Sequence, residues 1–418
     1  MLYLNYMLLV VIGTVTHALD KTSAAECSAN GDDSNNFFDD RSTHLWHVTL
    51  EGRSAPLYLF GTIHVYWQDV WPFVAPQVRA AFDSADTVLV ELALNNSNLT
   101  AQLDECRDLP ADVRLEWLLG YKLVSRIRKF IDKKGELLRK AMLNHRSMFM
   151  GEHAQRLLNF HRATVNWRNK KPTWVLFTLF HLLSIDGKEK RIPMLDVFLA
   201  TEAQQRGKKV QSVESPQEQC DPLLGISDAE KVYAIEHTLN YLVNASSTEK
   251  PPSEPSDDLL TKYRCGEIDD SIYESTDFLD VVPPNSSSLI TIQEQIRNEM
   301  ILTRNKRMAT RIHQFMMSND DEIAFVALGA AHFYGKSSVV DVLQQLGQYN
   351  IIRVMSNDDI SHMDYINRSR AAAQTVSNVR NLWERDESSS FEQSRSSLTV
   401  FLPPTKTNET DFTAWIIL

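Results

Sequence analysis

Several signatures that would assign this chain at once are missing from it. The four cysteines, Cys27, Cys106, Cys220 and Cys265, form no Cys-x-x-C pair, so a zinc knuckle has no ligands. There is no His-Glu-x-x-His and no Gly-x-Ser-x-Gly, which leaves ordinary zincin and nucleophile-elbow chemistry without support. Basic residues are the minority, 43 Lys and Arg against 54 Asp and Glu, so no polybasic face argues for a nucleic-acid partner. Three apolar runs, near residues 7–15, 174–180 and 415–418, are all too short to span a membrane. Gly329 to Ser337 ends like a P-loop, but its glycine spacing is one residue too long and a His sits at its centre.

What remains is a chain of 418 residues with globular composition away from its ends, long enough to bury a large core. Residues 1–18 read as a signal peptide, with a short apolar stretch and a small-residue cleavage site at Thr16-His17-Ala18. Six Asn-x-Ser/Thr sequons, at Asn95, Asn98, Asn244, Asn285, Asn367 and Asn408, point the same way. The even number of widely spaced cysteines suits one or two disulfides. A glycosylated protein of the secretory pathway, secreted or held at the cell surface, is expected. The four terminal apolar residues are neither a span nor a glycolipid-anchor tail, and leave a membrane tether open.

Residues 19–43 and 356–418 are polar and Ser-rich and read as flexible, with 44–355 the folded domain. Leu45 to Val48 and Leu57 to Phe60 alternate as a hairpin across Gly52. Trp67 to Ala85 has apolar residues at helical spacing. Thr87 to Val90 is a buried strand that ends on Glu91, and Lys209 to Val213 another that ends on Glu214. Residues 97–190 look helical, and the basic stretch Arg126 to Lys140 reads as a solvated helix face. A further helix starts at Pro193 to Asp196 and stops before Gly207. Residues 244–288, rich in Ser, Pro and acid, read as an exposed insertion. Ile290 to Met317 is a long helix, and a final strand covers Ile351 to Val354. The fold class is α/β, a central mixed sheet with flanking helices.

One pattern occurs twice. Leu57 to Phe60 runs into Gly61-Thr62-Ile63-His64, and Phe325 to Leu328 runs into Gly329-Ala330-Ala331-His332. Each is a strand that breaks at Gly and delivers a His three residues later, followed by aromatics. Gly allows the sharp bend and the close approach of a ligand. Each His alone reads most simply as structural; the repeat argues for a shared site. With Glu91 the two make a two-His, one-carboxylate set suited to Mn, Fe, Co or Zn, with coordination places left open for metal-assisted hydrolysis. Arg304 is either an electrophile, an anchor for a carboxylate, or half of a structural ion pair.

These segments resemble a known family. Gly61 to His64, Val90-Glu91-Leu92, Arg304-Asn305 with Arg307, and Gly329 to His332 followed by Gly335 resemble the TraB superfamily, and within it the TIKI metalloproteases. Asn166 to Trp174, Pro193 to Leu199, Glu218-Gln219-Cys220 and Tyr263 to Gly266 resemble the TIKI subgroup. The resemblance implies an erythromycin-esterase/ChaN-like fold built from two related halves, each carrying one Gly-x-x-His turn. It implies a Mn2+ or Co2+ cofactor, and proteolytic removal of N-terminal residues from Wnt proteins, which negatively regulates Wnt signalling. By position, His64, Glu91 and His332 fall in the family motifs, with Gly61 and Gly329 the motif glycines; that these three are the metal ligands follows from their ligand chemistry. Glu91 and Arg304 are the catalytic candidates. The family continues Glu-Leu-Asp where this chain has Glu91-Leu92-Ala93. The alternatives are a non-catalytic peptide- or haem-binding relative, or a hydrolase of small esters.

Overall fold

The computed structural model describes residues 41–144, 150–182, 193–245, 255–270, 272 and 287–358. The expected signal peptide, nearly all of the N-terminal segment and of the tail, and the sequons at Asn285, Asn367 and Asn408 lie outside them.

Six strands make one mixed sheet: β1 (Ser42–Leu50), β2 (Leu57–Thr62), β3 (Thr87–Val90), β4 (Lys209–Ser212), β5 (Ala324–Gly329) and β6 (Tyr349–Met355). Their spatial order is β4-β3-β5-β2-β1-β6. The β1–β2 hairpin pairs Leu45 with Phe60 and Val48 with Leu57, as the alternation predicts. β1 is antiparallel to both its neighbours; the β4, β3, β5 and β2 ladders are all parallel. Strands β2 and β5 are buried at every position, which is why they read as unbroken apolar runs. Phe325 packs against both Phe60 and Phe82, with ring centroids 5.6 and 5.4 Å away.

The predicted helix over Trp67 to Ala85 is instead three pieces: Trp67–Val70, a 3-10 turn Trp71–Phe73, and α1 (Pro76–Ser84). Pro72 and Pro76 explain the breaks, since each lacks an N–H and fits only a first turn. Between β3 and β4 the chain makes a long helical excursion that includes α2 (Ser97–Arg107), α3 (Tyr121–Asn144), α4 (Met150–Thr164), α5 (Pro172–His181) and α6 (Leu195–Gln205). Gly207, at φ +75, ends the last of these turns. After β4 come α7 (Pro216–Cys220) and α8 (Asp228–Ala245). Helices α3, α4, α5 and α8 bury a second cluster, centred on Ile127, Phe177 and Ile235 and completed from outside them by residues such as Leu115 and Met300.

The long helix expected before β5 is present with one irregularity. It comprises α9 (Ser287–Arg297), a π-turn at Asn298–Leu302, and α10 (Thr303–Ser318). Between β5 and β6 lies α11 (Val339–Leu346).

Part of the stretch expected to be an exposed insertion behaves otherwise. Residues Pro255–Arg264 are helical, and Tyr263, Cys265, Ile268 and Ile272 are buried. The Tyr263 hydroxyl donates to the carbonyl oxygen of Gly61 at the end of β2. Cys106 and Cys220 form a disulfide that joins α2 to α7 across 114 residues, and Cys265 is also disulfide-bonded. Cys27 lies outside the described residues. Among the described residues no helix is long and apolar enough to cross a membrane.

Candidate functional site

The parallel ladders bring the two Gly-x-x-His turns side by side. Register pairs Gly61 with Leu328 and Thr62 with Gly329, while Val90 of β3 pairs with Ala327 on the other flank of β5. β5 therefore ends between β2 and β3, and the carboxyl ends of all three share one edge, where parallel α/β sheets place their ligands. Over Gly329, the end of the middle strand, the three expected groups converge. A Cβ at Gly329 would lie 3.3 Å from Glu91 Oε1, 3.6 Å from the His332 ring and 3.7 Å from His64 Nε2. The glycine leaves the room in which the three side chains meet.

Each histidine is oriented from behind. His64 Nδ1 donates to Asp196 Oδ2 at 2.9 Å, and the Thr62 hydroxyl fixes the other oxygen at 2.7 Å. Asp196 reaches this place because the chain after His64 bonds the start of α6, through Leu195 N–H to Val65 O at 2.9 Å. His332 Nδ1 lies 2.7 Å from Asn305 Oδ1, and the Asn305 amide nitrogen donates to Ser337 O at 2.8 Å. The carbonyl of Ser337 sets which way the Asn305 amide points. Its oxygen can only accept, so Nδ1 of His332 carries the proton and Nε2 keeps a lone pair. Asp196 accepts the Nδ1 proton of His64 in the same way, and the buried Nε2 of His64 has no hydrogen-bond partner.

Glu91 is gripped on both oxygens. The Gly329 N–H donates to Oε1 and Arg304 Nη2 to Oε2, each at 2.7 Å, and Gln219 reaches Oε2 at 3.4 Å. Burial raises its pKa, but the charge of Arg304, then the two histidines and the Gly329 N–H, outweigh that and hold it below the usual carboxylate range. Burial and the Arg304 charge push His332 down to about 4, so it is neutral at physiological pH. Burial also lowers His64, yet Asp196 more than compensates and raises it.

Arg304 stands behind Glu91 and does not line the cleft. It is 1 % exposed, and it donates to Glu214 from Nη2 at 2.6 Å and from Nε at 3.0 Å while also holding Glu91. Burial works against its charge, and the two carboxylates overcome this and raise its pKa. Glu214 leaves β4 next to Glu91, with its own N–H bonded to the Glu91 carbonyl at 2.9 Å. A strand ending in a carboxylate was legible for both residues; only the pairing shows that one faces the site and the other anchors the arginine. Asp196, Asn305, Glu214 and Gln219 are the members that the motifs did not assign. Asp196 was visible only as a helix start, and Asn305 only as part of the Arg-Asn pair.

The donor atoms suit a divalent metal: two imidazole Nε2 lone pairs, one of them buried without a partner, and a carboxylate, with both rings oriented by second groups as in metal sites. The expected ligand set is nonetheless not a ready cage. Glu91 Oε1 takes the Gly329 N–H and lies 3.7 Å from His332 Nε2, and among the described residues no group of three His, Cys, Asp or Glu side chains has metal-binding geometry.

Of the sequons in the described residues, Asn98 and Asn244 are exposed. The Asn95 amide nitrogen instead donates to Gln204 at 2.8 Å and to the Ala200 carbonyl at 3.2 Å. Ala93 is buried, with its N–H on the Ser212 hydroxyl at 2.9 Å.

A mixed α/β sheet with two histidines and a carboxylate at adjacent strand ends is thus the class this chain falls in. The model of the TraB/PrgY/gumN family matches residues 44–349, and the chain belongs to that family. It is 31 % identical over 315 residues to Metalloprotease TIKI2 of Danio rerio, covering 74 % of this chain and 60 % of that protein. Metalloprotease TIKI1 of Homo sapiens is 31 % identical over 316 residues, with 73 % and 61 % covered. The Metalloprotease TIKI homolog of Nematostella vectensis is 30 % identical over 316 residues, with 73 % and 66 % covered. The chain therefore spans about three fifths to two thirds of the length of these relatives. No solved structure matches it.

Proposed function

We propose that this chain is a metal-dependent protease that removes N-terminal residues from Wnt proteins and so dampens Wnt signalling. The observation that carries the reading is the convergence of His64, Glu91 and His332 over Gly329, in a chain similar to proteins named metalloproteases. The three side chains would hold a divalent cation, with Mn2+ or Co2+ the proposed identity. Such a cation supplies Lewis-acid polarisation of the scissile carbonyl and activation of a water.

The protein's own groups prepare this. Asn305 accepts the Nδ1 proton of His332 and leaves its Nε2 free, while Asp196 fixes the His64 ring with Nε2 toward the site. Arg304 keeps Glu91 ionised and aimed, which makes Arg304 a positioning residue, while Glu91 is either a ligand or the group that takes a proton from water. Gly329 lets a peptide backbone approach all three.

We also propose an erythromycin-esterase/ChaN-like fold of two related halves. In support, β2 and β5 each run into a His turn, a helix and a strand. A secretory-pathway location, secreted or tethered at the cell surface, is supported by the Cys106–Cys220 disulfide and the exposed Asn98 sequon.

The test is to incubate the purified chain with a Wnt protein and compare N-terminal masses with Mn2+, with chelator, and with His332→Ala. Trimming that needs both the metal and His332 is expected. Intact N-termini under metal-replete conditions, with Wnt still bound, would replace the protease by a binding protein.

A further inference from the structure

We propose that the cleft beside His64 and Glu91 is a subsite for a large apolar side chain, so that the peptides taken carry Leu, Phe or a similar residue next to the reacting bond. The proposal rests on the peptide-substrate reading above and deepens it. The cleft is lined by the polar groups of His64, Glu91 and Asp196, with Gln219 and Arg107. The rest of its lining is apolar: Val90, Leu92, Leu94, Met194, Val197 and Trp174. A pocket with a few polar groups among apolar walls orients a ligand by the first and selects it by the second.

The apolar walls are built to keep their shape. Leu92, Leu103 and Cys220 form a small buried cluster, and Leu94 and Cys106 pack against it. The Cys106–Cys220 disulfide therefore ties together the layer behind the cleft. Trp174 cannot swing, because its indole N–H donates to the Cys220 carbonyl at 2.6 Å and its ring meets Phe177 edge-on at 5.4 Å. Leu94 and Val197 are only half-buried and offer apolar surface to a ligand.

The two charged alternatives fit poorly. Arg107 lines the cleft, but its guanidinium stacks on Trp174 at 4.3 Å from the ring centre and pairs with Asp104 at 3.3 Å. An acidic side chain would still approach Glu91 and Asp196. A lysine would lose its water against the leucines, while both carboxylates it could seek are already answered, by Arg304 and by His64 with Thr62. A preformed apolar pocket discriminates by roughly tenfold or more per missing methylene or two.

The experiment uses the full chain and fluorescently labelled hexapeptides in which Ala, Leu, Phe, Asp or Lys occupies each position in turn. Binding is read by polarisation and cleavage by mass, with Mn2+ present. At one position Leu and Phe are expected to bind about tenfold or more tighter than Ala, Asp and Lys. Val197→Phe and Leu94→Phe each fill the cleft and are expected to bring that ratio below about threefold, with thermal melting checked so that loss of fold is not counted. Equal binding across the series, or a preference that survives both variants in folded protein, overturns the subsite. The two readings separate cleanly: cleavage without side-chain preference sinks the subsite and keeps the protease. Preference without cleavage keeps the subsite and sinks the protease.

Discussion

Asn305 and His332 lock each other's orientation at the centre of the site. Asn305 Oδ1 accepts from His332 Nδ1 at 2.7 Å, while its amide nitrogen is fixed on the carbonyl of Ser337, itself at φ +57. Removing such a ring-orienting partner lowers metal affinity by about 10- to 100-fold. Asn305→Ala is expected to do so in a Mn2+ or Co2+ titration, while Asn305→Asp, which can still accept the proton of Nδ1, recovers part of the loss. An unchanged affinity in Asn305→Ala would remove the metal role of His332.

Arg304 answers two buried carboxylates at once, Glu91 and Glu214. Arg304→Met would take from both their buried counter-charge, at a cost on the order of 3–5 kcal/mol, read as a lower denaturant midpoint. Arg304→Lys is expected to restore only part of this, because an ammonium cannot present the planar fork that spans two acids.

Gly329→Ala separates stability from function. The backbone there is at φ −52, which any residue adopts, but the new methyl would sit among Glu91, His332 and His64. Melting close to that of the unaltered chain is expected, with turnover falling roughly a hundredfold, since displacements of about 1 Å at a reacting centre have that effect. Retained turnover would argue that the reacting atoms lie elsewhere.

His44 gives a test in acid. It is buried between the Tyr334 hydroxyl at 2.9 Å and the Tyr263 carbonyl at 2.9 Å, with Arg353 nearby. Burial first, and then the Arg353 charge, take its pKa down to about 4, against the raising effect of the Tyr263 carbonyl. Between pH 6.5 and about 4 the unfolded chain then binds more protons than the folded one. The contribution is complete above 6.5 and is lost as pH falls toward 4, up to roughly 3 kcal/mol. His44→Asn tolerates the φ of +54 at this position and should melt with a shallower slope across pH 4–6.5. Equal slopes for both proteins would count against a neutral buried His44.

The strands, their polar ends and the paired histidines were readable because they are local patterns. An unbroken apolar run, a Gly and a His lie within eight residues of one another, and helical spacing repeats every three or four. Where local signals competed, apolar spacing misled: Pro72 and Pro76 cut the helix expected over Trp67 to Ala85. Residues 255–272 misled in the other direction. Their polar flanks read as linker, yet Tyr263, Cys265 and Ile268 find burial against elements far away in sequence.

By itself the sequence determined the class of sheet, the two His turns, Glu91 and the family, since each is a short motif whose backbone needs are met within a few residues. Only the tertiary structure decided what those motifs do to one another. It placed β5 between β2 and β3, so that Gly329 lies under His64, Glu91 and His332, and it brought Asp196 from 132 residues away behind His64. It also sent Glu214 to Arg304 and left Glu91 facing the cleft. Those assignments depend on strand order and on burial shared by distant residues, which no local period records.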